Sequence, residues 1–293
     1  MVRRSSLLNL FLAPVLIIIL GSCSINSTLK PNKFDGNLAF SIIKDLAKLG
    51  PRIPNSRASE KAVDYIGNLL SKNGWGIDFQ NFSHSNCSGT NIIASKGFGS
   101  KQILLGTHFD SRAFVDATTE NVHVGVPGVN DGLSGVSVLL ELSRILPLND
   151  NFQLSLAFFD CEDQGDINGQ LWAAGSTYFV MNSNTLPDIV VIIDMIGDKN
   201  LNIYKETNSS VSISNDLWQV ASTLGFQETF INETRYSLLD DHFPFLQAGV
   251  PAALIIDFDY PYWHTTEDTI DKVHPNSLQQ VGDVLFAWIQ TQY

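Results

Sequence analysis

Four short runs dominated by Ile, Leu, Val and Phe, at residues 102–106, 154–159, 189–193 and 252–256, constrain this chain most. Continuous apolar runs of that length read as strands buried on both faces, and so as the interior of a parallel sheet. Helical patterns separate them. Residues 37–49 carry Leu38, Ile42, Leu46 and Leu49 before the stop at Gly50-Pro51. A second helix starts near Ser59 with Val63, Ile66, Leu69 and Leu70 on one face and stops at Gly74. Asn130 to Gly135 opens a third, whose apolar face is Val136, Leu139, Leu140, Leu142 and Leu146. Residues 172–181, 217–224 and 276–289 supply three more, the last with Leu278, Val281, Leu285 and Ile289 in register. Residues 78–82 and 91–95 are further strand candidates. Strands alternating with amphipathic helices predict an α/β fold: one globular domain with a central mixed, mostly parallel β-sheet flanked by helices.

The strand ends carry the chemistry. Residues 102–106 deliver His108 and Asp110; 154–159 end in Asp160-Cys161-Glu162-Asp163; 189–193 end in Asp194; 252–256 lead to Tyr260, Trp263 and His264. Asp131 stands at a helix entrance. Adjacent carboxylates after a buried strand repel each other unless a cation or a shared proton holds them. In open α/β sheets, that edge is also where ligand crevices form. Zinc takes imidazole and carboxylate ligands tetrahedrally. Asp131, Asp163 and His264 form a candidate three-ligand set, leaving Glu162 unbound as a general base. His108 and Asp194 could complete a second metal site with Asp131 bridging, and Asp110 could orient an imidazole from the next layer out. Each residue alone has an ordinary reading, as a core histidine, an N-cap or a turn. Coincidence on five successive elements is what argues for a site. His123, His242 and His274 have weaker claims.

His108-Phe109-Asp110, Asn130-Asp131-Gly132, Glu162-Asp163, Asp194-Met195-Ile196-Gly197 and Trp263-His264-Thr265 resemble the metal-site motifs of the co-catalytic zinc aminopeptidases. Phe34-Asp35-Gly36, Leu49-Gly50-Pro51-Arg52 and Asp240-Asp241-His242-Phe243-Pro244-Phe245 narrow the likeness to the glutaminyl-peptide cyclotransferase branch. The resemblance implies one zinc on Asp131, Asp163 and His264, Glu162 as acid/base, and Asp194 with Asp240 as a carboxylate pair. It implies conversion of N-terminal glutamine to pyroglutamate with release of ammonia, on peptide or protein N-termini, by an expected monomer. Trp263 and Tyr260 would wall the pocket, with Trp172 a further candidate. Cys161 stands where that branch usually has glycine, and Asp163 where its animal members have glutamate. No cysteine pair flanks the segment from His108 to Asp131. The rival readings are a two-zinc aminopeptidase and an inactive lipid-anchored binding protein.

The N-terminal stretch reads as targeting. Arg3 and Arg4 precede an apolar run, 7–20, too short to span a bilayer, and Leu20-Gly21-Ser22-Cys23 resembles a lipobox. The expectation is a lipoprotein signal peptide at 1–22, acylation of Cys23, a polar tether at 23–33 and the catalytic domain at 34–293, anchored to a bacterial membrane after export. A formal net charge of -12 would repel phosphate backbones, which argues against a nucleic-acid partner. Cys87 and Cys161 are the remaining cysteines, and their pairing is open.

Overall fold

A computed structural model describes residues 33–116, 124–147 and 151–292. Cys23, the signal and tether region up to residue 32, and His123 lie outside the described residues. The helices are α1 (Gly36–Ala47), α2 (Arg57–Lys72), α3 (Leu133–Ile145), α4 (Ala174–Asn182), α5 (Val211–Thr223), α6 (Phe243–Gln247) and α7 (Pro275–Gln290). The strands are β1 (Gly76–His84), β2 (Cys87–Lys96), β3 (Lys101–His108), β4 (Phe152–Phe159), β5 (Ile189–Asp194), β6 (Ile203–Lys205), β7 (Phe230–Thr234) and β8 (Ala252–Ile256).

Six strands form the central sheet in the order β1-β2-β4-β3-β5-β8. The four strands read as apolar runs, β4, β3, β5 and β8, are parallel, while β2 and β1 join antiparallel. The sheet is therefore mixed, as expected. Its two faces divide the core by the period of two along a strand. Leu105, Val191 and Ile193 face the cluster built with α1, α2, α3, α5 and α7, whereas Leu104, Val190 and Ile192 face the one built with α4 and α6.

Local chemistry fixes the helix ends. Asp35 caps α1 by accepting from the N–H groups of Asn37 and Leu38, and Ser56 caps α2 through the N–H of Ser59. The helix expected at 172–181 starts only at Ala174, because Ala173 is left-handed (φ 54°) and turns Trp172 toward the site. The helix expected at 217–224 begins earlier, at Val211, and its first turn already buries Ile213 in register with Leu217 and Ala221. The parallel pair β6–β7 and the short α6 were not expected, being three to five residues long with no period to read.

Cys87 and Cys161 are joined by a disulfide, which ties the start of β2 to the turn after β4. Gly135 lets α3 pack closely on β3: a Cβ there would lie 2.1 Å from Thr107 Oγ1. That approach brings the helix entrance, and Asp131 with it, alongside the end of β3. Among the described residues, no helix is long and apolar enough to cross a membrane.

Candidate active site

The loops at the C-terminal ends of β3, β4, β5 and β8 converge on one cavity of about 190 Å3. Asp131, Glu162, Asp163, Asp194, Asp240 and His264 all line it, with Trp172, Trp263, Phe258, Ile256 and Leu238 as the apolar wall.

Buried polar braces display Glu162, Asp163 and Asp131. Asp110 accepts from the backbone N–H of Glu162 (3.1 Å) and Asp163 (3.2 Å) and from Gln164 Nε2 (2.9 Å). Its Oδ1 also lies 3.5 Å from His108 Nδ1, so it backs both the acid pair and that imidazole. Asp268 accepts from the N–H groups of Asn130 (2.8 Å) and Asp131 (3.1 Å) and so fixes the helix entrance. Asn130 then ties that entrance to the end of β5, accepting from Gly197 N–H at 2.7 Å.

Tyr260 is a correction to the expected pocket wall. It is buried behind the site and donates to Asp268 at 2.6 Å, so it braces Asp131's support and is not among the cavity residues. Trp263 does line the cavity, as does Trp172. The two tryptophans stack on His264, with ring centroids 3.8 Å and 5.8 Å away.

Two donor sets share Asp131. In the first, donor atoms of Asp131, Asp163 and His264 lie within 4.8 Å of one another, and all three residues are buried. His264 Nε2 is 2.8 Å from Asp163 Oδ1 and 3.9 Å from Asp131 Oδ2. Asp131 Oδ2, Asp163 Oδ2 and His264 Nε2 have no hydrogen-bond partner. Two buried carboxylates and one imidazole with lone-pair atoms left over are what a divalent cation fits. The protein alone answers this crowding with protons. Burial, with the charge of Asp131 adding to it, pushes Asp163 up to about 7. Burial pulls His264 down, but Asp163, Asp116 and Asp131 outweigh it and hold the ring at about 9.

In the second set, His108 Nε2 sits 3.0 Å from Asp194 Oδ1 and 3.1 Å from Asp131 Oδ1. The donor atoms of these three buried residues also lie within 4.8 Å of one another, so this set too is shaped for a cation.

Asp116 was missed by the sequence reading. Its Oδ2 lies 2.6 Å from His264 Nδ1, and its Oδ1 accepts from Arg112 Nε at 2.6 Å. It lies in a long polar loop, and its one local signal is the four-residue spacing from Arg112. His242 and His274 do not reach the site. His242 is buried 3.1 Å from Glu206, and His274 accepts from Asn276 N–H as the N-cap of α7.

Glu162 and Asp240 both face the cavity. Burial holds Glu162 well above the usual carboxylate range, with Asp240, Asp241 and Asp163 reinforcing it against His108. Burial, then the charge of Asp194, pushes Asp240 up to about 7. Asp194 Oδ1 is engaged by His108, and Asp240 Oδ1 accepts from the N–H of Asp241.

A mixed sheet with a buried aspartate–aspartate–histidine cluster at the ends of its parallel strands defines the class: an α/β protein of the zinc-exopeptidase type. Residues 91–289 match the model of peptidase family M28, and the chain belongs to that family. It is 26% identical over 280 residues to Aminopeptidase YwaD of Bacillus subtilis, covering 86% of this chain and 56% of that protein. The chain thus spans about half the length of that relative. It is 24% identical over 284 residues to the glutaminyl-peptide cyclotransferase of Boiga irregularis, covering 81% of this chain and 76% of the relative. Among solved structures, the glutaminyl cyclase of Tannerella forsythia superposes with a TM-score of 0.81 at 28% identity, over 88% of this chain and 98% of that one. A Zn-dependent exopeptidase from Parabacteroides distasonis gives 0.82 at 26% identity, over 90% and 99%.

Proposed function

We propose that this protein is a glutaminyl-peptide cyclotransferase that converts N-terminal glutamine to pyroglutamate. The grouping of Glu162 and Asp240 with the Asp131, Asp163 and His264 donors in one cavity carries the reading. Asp131 Oδ2, Asp163 Oδ2 and His264 Nε2 have no hydrogen-bond partner, which suits a cation at that set. One Lewis-acid centre beside Glu162 and Asp240 suits intramolecular acyl transfer. The likeness to the Tannerella forsythia glutaminyl cyclase supports the same reading.

A zinc ion held by Asp131, Asp163 and His264 would supply polarisation of the substrate's γ-carbonyl. The remaining work belongs to the chain. Asp240 and Asp194 present acceptor oxygens to the N–H groups of the α-amine, which reacts as the free base, and orient it. Glu162, held above the ordinary carboxylate range, accepts a proton from the attacking amine. The amine nitrogen bonds to the γ-carbon, the C–N bond of the side-chain amide breaks, and Glu162 returns the proton to the departing ammonia. Trp172, Trp263 and Phe258 keep water away, because an incoming water would hydrolyse the amide instead.

The test is ammonia release from glutaminyl peptides by purified protein, beside hydrolysis of a leucyl substrate. Ammonia with negligible leucyl hydrolysis supports the cyclase. The reverse outcome supports a two-zinc aminopeptidase, for which His108, Asp131 and Asp194 offer a second donor set.

We further propose that residues 1–22 are removed and Cys23 carries lipid, followed by a tether to residue 33. The support is the Arg3-Arg4 start, the apolar run and the Leu20-Gly21-Ser22 approach to Cys23. Cys23→Ala should then abolish labelling by a fatty-acid probe; labelling that persists would remove the proposal.

A further inference from the structure

Cys161 is left-handed, with φ 60°, a conformation that L side chains adopt rarely because the Cβ crowds the backbone. It is also the residue immediately before the acid pair. Its N–H donates to Asp160 Oδ1 at 2.9 Å, and its carbonyl accepts from Ala174 at 3.1 Å. The next two N–H groups then point at Asp110. The direction of Glu162 and Asp163 thus depends on φ at position 161.

The disulfide fixes where the Cβ of Cys161 must go. Its partner, Cys87, opens β2, a strand hydrogen-bonded on both sides, to β1 and to β4. The bridge is buried among Phe82, Ala174 and Tyr178, with Phe82 and Tyr178 stacked at 5.3 Å. A covalent link to a rigid strand, inside a packed apolar pocket, removes the alternative backbone wells that a free side chain would seek.

We propose that the Cys87–Cys161 disulfide is the positioning device of the acid pair, holding the left-handed turn from which Glu162 and Asp163 reach the cavity. The inference rests on the proposed role of Glu162 for its catalytic consequence, but not for its effect on Asp163 as a cation ligand. Without the bridge, an L residue at 161 relaxes toward a right-handed or extended backbone and turns both carboxylates away.

Two disulfide-free variants separate this from general stabilisation, and neither retains a thiol at these positions. Cys87→Ser with Cys161→Ser keeps a Cβ at 161; Cys87→Ser with Cys161→Gly removes it. Both lose the cross-link and should melt at a similarly lowered temperature. The serine pair should turn over glutaminyl peptide about tenfold more slowly and bind zinc about tenfold more weakly. The glycine variant should recover both to within about twofold of wild type, because glycine adopts that φ without cost. Circular dichroism at the assay temperature shows whether each variant is folded. Tris(carboxyethyl)phosphine treatment of the folded wild type should reproduce the loss. Serine and glycine variants that match each other, whether both intact or both impaired, would overturn the proposal. A wild type inactive on glutaminyl peptide would sink the proposed reaction while leaving the zinc comparison decisive.

Discussion

Asp116 Oδ2 lies 2.6 Å from Nδ1 of His264, and that contact decides which ring nitrogen faces the cavity. In the neutral ring that a cation requires, Nδ1–H donates to Asp116 and the Nε2 lone pair points toward Asp163 and Asp131. A carboxylate behind a ligating imidazole fixes the ring's tautomer and raises its basicity. Asp116→Ala should therefore weaken zinc binding by about 10- to 100-fold. Competition with a chromophoric chelator measures this, and an unchanged affinity would refute the assignment.

The acid pair divides its labour. Glu162→Gln should retain zinc while turnover falls by roughly two to four orders of magnitude, the usual weight of a general acid/base. Asp163→Ala and His264→Ala should instead lower metal occupancy, since each removes one of the three donors. Metal analysis beside kinetics checks the split. Zinc loss confined to the Glu162 variant would reverse the roles.

Asp240 lines the same cavity as the cation donors and belongs to neither donor set. Asp240→Ser should leave zinc content intact and cut ammonia release by about 10- to 100-fold through lost orientation of the amine. If the variant loses zinc, or cyclises at the wild-type rate, the orienting role fails.

Glu206 accepts from Asn208, Ser209 and Leu238 N–H groups and lies 3.1 Å from His242, tying the loop before α5 to the segment that carries Leu238 and Asp240. Burial would raise its carboxyl, but His242 and the backbone donors outweigh that and hold it at about 2, below the ordinary 4.5. A depressed carboxyl contributes stability that is complete above about pH 4.5 and is lost as pH falls through about 2. Glu206→Gln should destabilise the protein at pH 7 by about 1–3 kcal/mol, with the deficit shrinking as pH approaches 2. Urea titrations across pH measure it; a deficit independent of pH would contradict the ionised-carboxylate account.

The four central strands, most helices and the candidate donors were legible in the sequence because each rests on local information. A strand buried on both faces must be apolar along its whole length, and a helix against a sheet must repeat its apolar residues every three to four positions. Strand ends in an α/β sheet lie together on one edge, so His108, Glu162, Asp163 and Asp194 could be grouped before any distance was known. Tertiary structure alone decided the partners. Asp116 and Asp268 reach the site across 148 and 137 residues of chain, to His264 and Asp131 respectively, from segments with no period. Tyr260 turned inward to Asp268, Trp172 turned out of its expected helix onto His264, and Asp194 Oδ1 met His108. Cys87 and Cys161 met because β2 lies beside β4. Periodicity records which face of an element is buried; the hydrogen bonds of a site depend on loop backbone angles, such as φ 60° at Cys161 and 56° at His264, which only the packed chain imposes.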